Sequence, residues 1–178
     1  RFERLSAQPT VDYYKDGDVH ERQMLSFLSE PLQGDLELGG HALLELALSS
    51  SENDGAIFAY LSELDADGNL RFITDGCLRL AHRQVSEAPA KYQAVWPFRD
   101  YSRKNAKRMT PHEVERVQIA LLPIGWTLKA GSRLKLSLSG ADAEHFQQVP
   151  HGRPPRFTFQ LGGAQGCSLR LPVVSSKS

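Results

Sequence analysis

The chain has 178 residues, 21 basic and 21 acidic side chains that give a formal net charge of zero, and 40% apolar residues. This composition is typical of a single globular domain and excludes a disordered chain. The charge balance provides no overall field toward nucleic acid or an anionic membrane. No apolar run reaches the ~20 residues that span a bilayer. We therefore expect neither nucleic acid nor a membrane as a partner.

Apolar residues recur at every second position along most of the chain, which is the period of a half-buried strand. Turn dipeptides such as Asp67-Gly68 separate the alternating runs. In the run Cys77–Arg83 this period predicts Leu78, Leu80 and His82 on one face, and Arg79 and Arg83 on the other. The predicted strands are Met24–Ser29, 43–48, Ala56–Leu64, Leu70–Thr74, Cys77–Arg83, 116–121, 133–138, 156–161 and 169–173.

These eight to ten short strands, without a long amphipathic helix, predict an all-β fold. An antiparallel β-sandwich of the jelly-roll, galactose-binding-like type fits them best. No linker or repeat divides the chain, so we expect one domain over residues 1–178.

Residues 84–111 interrupt the alternation and predict one long loop. The loop contains three prolines and four aromatic residues (Tyr92, Trp96, Phe98, Tyr101), and five cations lie close together within residues 99–108 (Arg99, Arg103, Lys104, Lys107, Arg108). Such a mixture can stack bases and neutralise phosphates. The zero net charge instead favours a solvated loop, or one that docks on an acidic surface of another domain. Trp, Tyr and Arg are common anchors of protein–protein contacts.

The chain lacks the patterns that support catalysis or metal binding. It has six histidines but no G-x-S-x-G turn that would expose a nucleophilic serine. Its two cysteines, Cys77 and Cys167, form no CxxC pair, and we expect two separate buried thiols. Asp65–Asn69 begins like a calcium loop, but Leu70 and Gly76 stand where Gly and Glu are needed, so the segment predicts a hairpin turn. We expect no catalytic residue, no cofactor and no metal ligand in this chain.

Several segments in order resemble one known family. Four segments resemble, in this order, the family patterns "PL..D.e..G", a D…L.dv.pdG hairpin, "G.lRa.hR" and "kaGhRlrl". The fourth segment is followed, as in the family, by Ser139–Asp142, His145 and Phe146. The four segments are Ser29–Gly40, Asp54–Gly68, Thr74–Arg83 and Leu128–Leu136. Together they resemble the C-terminal jelly-roll domain of the CocE/NonD serine hydrolases, the cocaine-esterase and X-prolyl dipeptidyl-peptidase group. The resemblance covers about Leu25 to Val174. Ser132 departs from it, because the family usually has His at this place.

The resemblance implies a longer protein with an N-terminal α/β-hydrolase domain, which would be either an acyl esterase or an enzyme that releases X-Pro dipeptides. In that family the Ser, Asp and His of the active site belong to the catalytic domain, and none of them has a match in this chain. The jelly roll packs on the catalytic domain, helps to wall the substrate cleft and contributes to assembly, so a homo-oligomer is possible. The chain starts at Arg1 rather than Met, which suggests a fragment. Any signal peptide would lie upstream, and a cytoplasmic location is favoured.

We expect the contact surface toward the catalytic domain to include Arg79, His82, Arg83, Tyr92, Trp96 and Phe98. For His82 the alternative is a hydrogen-bonded core residue, which is the commoner role of a lone histidine on an apolar face. For the whole chain the alternative is a free-standing carbohydrate-binding module with an aromatic platform of Trp96, Tyr101 and Trp126.

Overall fold

The computed structural model describes residues 24–143 and 145–174, which contain ten strands and two short 3₁₀ helices. The 3₁₀ helices lie at Leu80–His82 and Arg103–Asn105. The strands are β1 (Leu25–Leu28), β2 (Leu36–Gly40), β3 (Leu43–Ser50), β4 (Ala56–Leu64), β5 (Leu70–Arg79), β6 (Glu115–Ala120), β7 (Ile124–Leu128), β8 (Arg133–Ser139), β9 (Phe157–Phe159) and β10 (Ser168–Arg170).

The strands form two packed antiparallel sheets and a smaller ribbon. The first sheet has the order β1-β8-β4-β5. In the second, β6 pairs with one edge of β3, while β9 and β10 pair with opposite ends of β3, β9 at Leu48–Ser50 and β10 at Leu43–Glu45. Strands β2 and β7 pair as a two-stranded ribbon. The predicted antiparallel sandwich is confirmed.

The hydrophobic core lies between the sheets and follows from the period of two. Leu44, Leu46 and Leu48 of β3 are at most 2% exposed and face the inner residues of β4, among them Ile57 and Leu61. β4 lies in the middle of its sheet and is buried on both faces. Its outward residues Ala56, Phe58 and Tyr60 form a second cluster with Phe72, Cys77 and Phe146.

At Gly76, strand β5 lies close to the end of β6. A Cβ atom at this position would lie 2.8 Å from Cδ2 of Leu121 and 2.9 Å from the carbonyl oxygen of Ala120. A side chain here would therefore push β5 away from the end of β6, so the packing requires glycine.

Most predicted strands are present, but the prediction for Cys77–Arg83 is wrong. These residues do not form a separate strand, because β5 continues without interruption through Arg79 and a 3₁₀ turn follows at once. The turn is fixed by Asp54, whose carboxylate accepts the N–H of Ala81, and by the Leu80 N–H, which donates to the carbonyl of Gly55. The period of two therefore ends at residue 79. β7 was missed, although Ile124, Trp126 and Leu128 alternate as strand residues do.

The acidic turn between β4 and β5 is a hairpin, as predicted. Asp65 Oδ1 accepts the backbone N–H groups of Asp67 and Asn69 at 3.0 and 2.8 Å, and Arg71 pairs with Oδ2 at 3.0 Å. These bonds, with the Asn69 N–H first, lower the pKa of the Asp65 carboxyl. The carboxylate thus closes the turn with groups of its own hairpin.

Over the residues that the structure describes, no three His, Cys, Asp or Glu side chains lie close enough together to form a metal site. In the same residues, no helix is long and apolar enough to cross a membrane.

The two cysteines lie in different clusters. Cys77 packs in the outer cluster of the first sheet, whereas Cys167 packs against the main core, where its thiol points to the Ala47 carbonyl oxygen at 3.7 Å. Both are partly buried.

Candidate functional site

Residues 84–111, here called the long loop, run along the surface with little regular structure. Of their side chains only those of Arg99 and Met109 are buried. Met109 belongs to the main core, and its N–H donates to the carbonyl of Asn53. Five large apolar or aromatic residues of the loop are exposed, with exposed fractions from 43% to 81%: Val85, Tyr92, Val95, Trp96 and Tyr101. The long loop therefore has an apolar surface that the β-sandwich leaves exposed.

Arg83 holds the base of the long loop. Its side chain is 1% exposed and forms a two-pronged ion pair with Glu115, the first residue of β6. The same guanidinium donates to the carbonyl oxygens of Leu80, Lys107 and Arg108. A charge buried this deeply needs such partners. One side chain thus ties the start of the loop, its end and β6 together.

Arg99 is a second buried arginine and acts from the middle of the long loop. Its guanidinium donates to the carbonyl oxygens of Arg83 and Gln118. Burial lowers the pKa of Arg99 from its ordinary value, yet an arginine stays charged in proteins. The backbone of the loop is further closed by a bond of 2.8 Å from the Ser86 N–H to the Phe98 carbonyl. We call Arg83 and Arg99 the arginine anchors.

The aromatic residues of the long loop contact framework histidines or each other. The ring centroids of Trp96 and His41 are 4.7 Å apart, and those of Tyr92 and Phe98 are 6.2 Å apart. His41 is itself fixed, because its Nδ1 lies 2.8 Å from the carbonyl oxygen of Leu121. Trp96 is therefore held on one side while 43% of its surface stays exposed.

Tyr101 is displayed on a tight turn of the long loop. Its φ angle of 51° lies in the left-handed region, which costs a residue with a Cβ atom free energy. The turn is closed by Asp100, whose carboxylate accepts from the Ser102 N–H at 2.9 Å and from Asn105 Nδ2 at 2.8 Å. The Ser102 N–H is the main cause that lowers the pKa of Asp100. The Tyr101 ring lies 5.6 Å from the ring of His82, centroid to centroid.

The six residues of the predicted contact surface differ in how far they are exposed. His82 is half-buried on the 3₁₀ turn beside Tyr101, and Phe98 is half-buried under Tyr92, while Tyr92 and Trp96 are exposed. Arg79 donates two hydrogen bonds to Asp54 Oδ2 at 2.9 and 2.7 Å and keeps 31% of its side chain exposed. Arg83 lies beneath the surface. Sequence reasoning did not find Arg99 as an anchor, because burial of a loop arginine leaves no periodic signal.

Ser132, at the place where the resemblance led us to expect histidine, belongs to a buried polar group with Glu63 and Trp126. Its hydroxyl donates to Oε1 of Glu63 at 2.7 Å, and Trp126 Nε1 donates to Oε2 at 3.0 Å. Glu63 is 3% exposed and Ser132 is 1% exposed. Trp126 also packs on the main core, so its ring is anchored at its nitrogen and on one side. The one sequence signal was the lone carboxylate in the apolar run of β4.

Two curated relatives of this chain bear esterase names. Two mycobacterial proteins that bear serine-esterase names, Mb1866c of Mycobacterium bovis and MT1883 of Mycobacterium tuberculosis, are each 33% identical over 161 residues. The match covers 90% of this chain but 26% of each relative. The chain thus spans about a quarter of the length of the curated relatives it matches.

Solved structures show the same fold. A CocE/NonD family hydrolase from Staphylococcus aureus matches 86% of this chain with a TM-score of 0.70 and 24% identity, over 31% of its own length. An aminopeptidase from a marine sediment Thaumarchaeota archaeon matches 96% with a TM-score of 0.71 and 14% identity, over 30% of its length. An α-amino acid ester hydrolase matches 94% with a TM-score of 0.65 and 17% identity, over 27% of its length. At these identities the likeness establishes the fold.

Residues 3–165 match the family described as the X-Pro dipeptidyl-peptidase C-terminal non-catalytic domain. The match covers most of the chain, and it agrees with the sandwich topology and with the serine-esterase relatives. The predicted resemblance to the C-terminal domain of CocE/NonD hydrolases is therefore confirmed, and the chain belongs to the family of X-Pro dipeptidyl-peptidase C-terminal non-catalytic domains.

Proposed function

We propose that this chain packs on an N-terminal α/β-hydrolase domain of the same polypeptide and helps to shape its substrate cleft. The parent protein is a serine hydrolase that cleaves acyl esters, and the relatives with serine-esterase names support this choice over release of X-Pro dipeptides. In this proposal the sandwich supplies a rigid wall, while the nucleophile, the base and the carboxylate belong to the other domain.

The observation that carries the proposal is the rigid display of exposed aromatic residues on the long loop. Tyr and Trp at the centre of a contact dominate binding free energy, and they do so best when they are held in place before binding. Trp96 is held by His41, and the loop beneath it is held by Arg83 and Arg99. Tyr92 and Trp96 do not belong to the core of the sandwich. We therefore infer that the arginine anchors serve to hold these two residues at the surface as well as to stabilise the fold.

The charges beside these aromatic residues favour an acidic partner surface. Arg103, Lys104, Lys107 and Arg108 are exposed near the end of the long loop, and within residues 99–108 one acidic residue, Asp100, stands against five basic ones. The carboxylate of Asp100 is engaged with Ser102 and Asn105. We expect the facing surface of the catalytic domain to carry carboxylates around an apolar patch.

The mass of the native polypeptide tests the first part of the proposal. An added hydrolase domain raises the mass well above about 50 kDa, and an antibody against this chain would show this in a cell extract. A native mass near 20 kDa contradicts the proposal and leaves the carbohydrate-binding module as the alternative. Retention on a polysaccharide panel, lost in Trp96→Ala, would then support that alternative.

Loss of the aromatic contact tests the second part. In the full-length protein, we expect Trp96→Ala combined with Tyr92→Ala to separate one thermal transition into two and to raise KM for ester substrates at least fivefold. Hot-spot truncations cost about 2 kcal/mol or more, which is enough to uncouple two domains. The matched control is Leu122→Ala, because Leu122 is 60% exposed outside the long loop. Unchanged melting and KM in the double variant would contradict packing through this surface.

A further inference from the structure

The two halves of the long loop lie at opposite ends of β6. Trp96 packs on His41, whose Nδ1 lies beside the carbonyl oxygen of Leu121, the residue that directly follows β6. Lys107 lies at the other end, because its carbonyl accepts from Arg83, which pairs with the first residue of β6. A strand of six residues is about 20 Å long. The aromatic half of the loop is therefore separated from its basic half by about the same distance.

Residues 103–108, here called the basic segment, carry positive charge that the chain itself does not neutralise. The four exposed cations of this segment are Arg103, Lys104, Lys107 and Arg108. Within the part of the chain that the structure describes, none of them is in an ion pair. Exposed cations elsewhere do have carboxylate partners: Arg71 with Asp65 at 3.0 Å, Lys129 with Asp35 at 2.6 Å and Arg170 with Glu45 at 3.4 Å.

The backbone of the basic segment is fixed before any partner binds. The Lys107 N–H donates to the carbonyl of Ala81 at 2.8 Å. The carbonyl groups of Lys107 and Arg108 accept from the buried guanidinium of Arg83. Cations on a fixed backbone lose less freedom when they bind. A loop that is merely solvated needs no such order, so the arrangement favours recognition of a partner.

The chemistry of that partner follows from the charge and from the ring at this end of the loop. Carboxylates and phosphates both pair with Lys and Arg. A single-stranded nucleic acid also needs rings on which successive bases stack beside the cations. Tyr101 is the aromatic residue of the long loop at this end, where its ring lies against His82, and Trp96 is about 20 Å away. The observations therefore favour the carboxylates of a protein surface.

We propose that the catalytic domain contacts the long loop at two separate places. Its carboxylates pair with the basic segment at the start of β6, and an apolar surface packs on Tyr92 and Trp96 at the end of β6. This inference rests on the proposed function and adds that the contact extends along the whole of β6. Charge attraction acts over about 10 Å at 0.1 M salt and orients the two domains, whereas burial of the aromatic rings holds them together.

Zero-length cross-linking of the full-length protein tests the basic contact directly. A water-soluble carbodiimide joins a lysine amine to a carboxylate when the two groups are in contact. Lys129 and Asp35, whose atoms lie 2.6 Å apart, provide the internal positive control. We expect Lys104 or Lys107 to be joined to Asp or Glu side chains of the catalytic domain. Products with carboxylates of this chain alone would overturn the proposal, as would no product at either lysine while the control pair is joined.

Charge reversal in the full-length protein separates this inference from the proposed function. At low salt, Lys104→Glu with Lys107→Glu should speed amide hydrogen exchange of residues 92–98 about fivefold, because exposed ion pairs are replaced by repulsion and the contact opens more often. The difference from the wild type should vanish near about 1 M salt, where the screening length is about 3 Å. The matched control is Arg71→Glu with Lys129→Glu, which makes the same change of net charge at cations that already have carboxylate partners. The control should leave this exchange unchanged.

Comparison with the double variant Trp96→Ala and Tyr92→Ala decides between the two proposals. This aromatic variant should exchange faster at both salt concentrations. Faster exchange in the aromatic variant alone would overturn this inference and leave the proposed function standing, whereas unchanged exchange in both would contradict both. An effect of charge reversal that persists near about 1 M salt would overturn the inference, since the lysines would then not act through their charge.

A gel shift with single-stranded DNA tests the rival partner. A salt-dependent shift that the charge reversal abolishes would overturn the inference, because the basic segment would then bind nucleic acid. Far-UV circular dichroism shows that each variant is folded. Should the charge reversal not fold, the cross-linked products decide alone.

Discussion

The long loop and the sandwich beneath it are ordered by different interactions. From Ala56 to Glu63 every residue of β4 is buried, and its order comes from hydrocarbon packed on both faces. The 28 residues of the long loop bury two side chains, and their order depends on two arginines that donate to backbone carbonyls and one carboxylate. Apolar packing is spread over many contacts, whereas the loop concentrates its order in a few. A single substitution should therefore release the loop, whereas the sheets should loosen only when a buried residue of the sandwich is replaced.

Arg83→Met gives the largest expected effect. Removal of the guanidinium leaves Glu115 and three carbonyl groups without their donor, and breaking a buried pair costs about 3–5 kcal/mol. The chain has two tryptophans, Trp96 in the loop and Trp126 in the sandwich. In urea unfolding of Arg83→Met, we expect the Trp96 signal to change at a lower urea concentration than the Trp126 signal. The control Arg103→Met, at an exposed loop position, should stay within about 0.5 kcal/mol. Coincident transitions at the wild-type midpoint would show that the anchor is dispensable.

Leu48→Ala tests the sandwich with a core truncation. Leu48 is fully buried, and such a truncation costs about 2–4 kcal/mol of unfolding free energy through lost burial and a residual cavity. Because the core supports both regions, the Trp96 and Trp126 signals should shift together. A lower urea midpoint for the Trp96 signal alone would contradict this expectation, because the core truncation would then have loosened the long loop and left the sheets intact. Leu122→Ala, at an exposed site, is the matched control.

Ser132→Ala asks whether a buried polar group in the sandwich behaves like the arginine anchors. It removes the hydroxyl that donates to Glu63 at 2.7 Å, while Trp126 still donates to the other oxygen. We expect a loss of about 1–3 kcal/mol, because one donor of the carboxylate remains. Hydrogen exchange should rise at the β4–β8 pairing and stay unchanged in the long loop. Faster exchange in the loop would mean that the two polar groups are coupled.

The smallest expected effect is the titration of Asp100. Its folded pKa lies below the ordinary value of 3.8, chiefly because of the Ser102 N–H. The carboxylate therefore stabilises the turn above the unfolded pKa, and this contribution is lost as the pH falls through the lower folded pKa. In NMR titrations the amide of Ser102 should follow a midpoint below 3.8. Asn105→Ala should raise that midpoint slightly, since the main donor remains. A midpoint at or above 3.8 in the wild type would contradict the turn geometry.

The sequence predicted the sandwich well because its signal is local and repeated. β4 has the predicted bounds Ala56–Leu64, and the hairpin after it uses the predicted Asp-Gly turn. The error at Cys77–Arg83 arose because a period of two does not show where a strand ends. Its end depends on Asp54, 25 residues before Arg79, and such a contact appears only in three dimensions.

The candidate site was less predictable for the same reason. The aromatic composition of the long loop indicated a surface for contact, but nothing in the sequence distinguishes the buried Arg83 and Arg99 from the exposed Arg103 and Arg108. Arginines in a loop have no period, so their burial depends on which carbonyl groups the fold brings near them.

The arrangement of the anchors has a consequence for variation and engineering. Residues 87–96 lie between Arg83 and Arg99, and none of them is buried. Mutations at the positions of this segment other than Tyr92 and Trp96 can therefore accumulate without a large loss of folding stability of the sandwich, much as binding loops diversify on an immunoglobulin scaffold. A library or a new recognition sequence is best placed at residues 87–91, where the proposed aromatic contact stays intact.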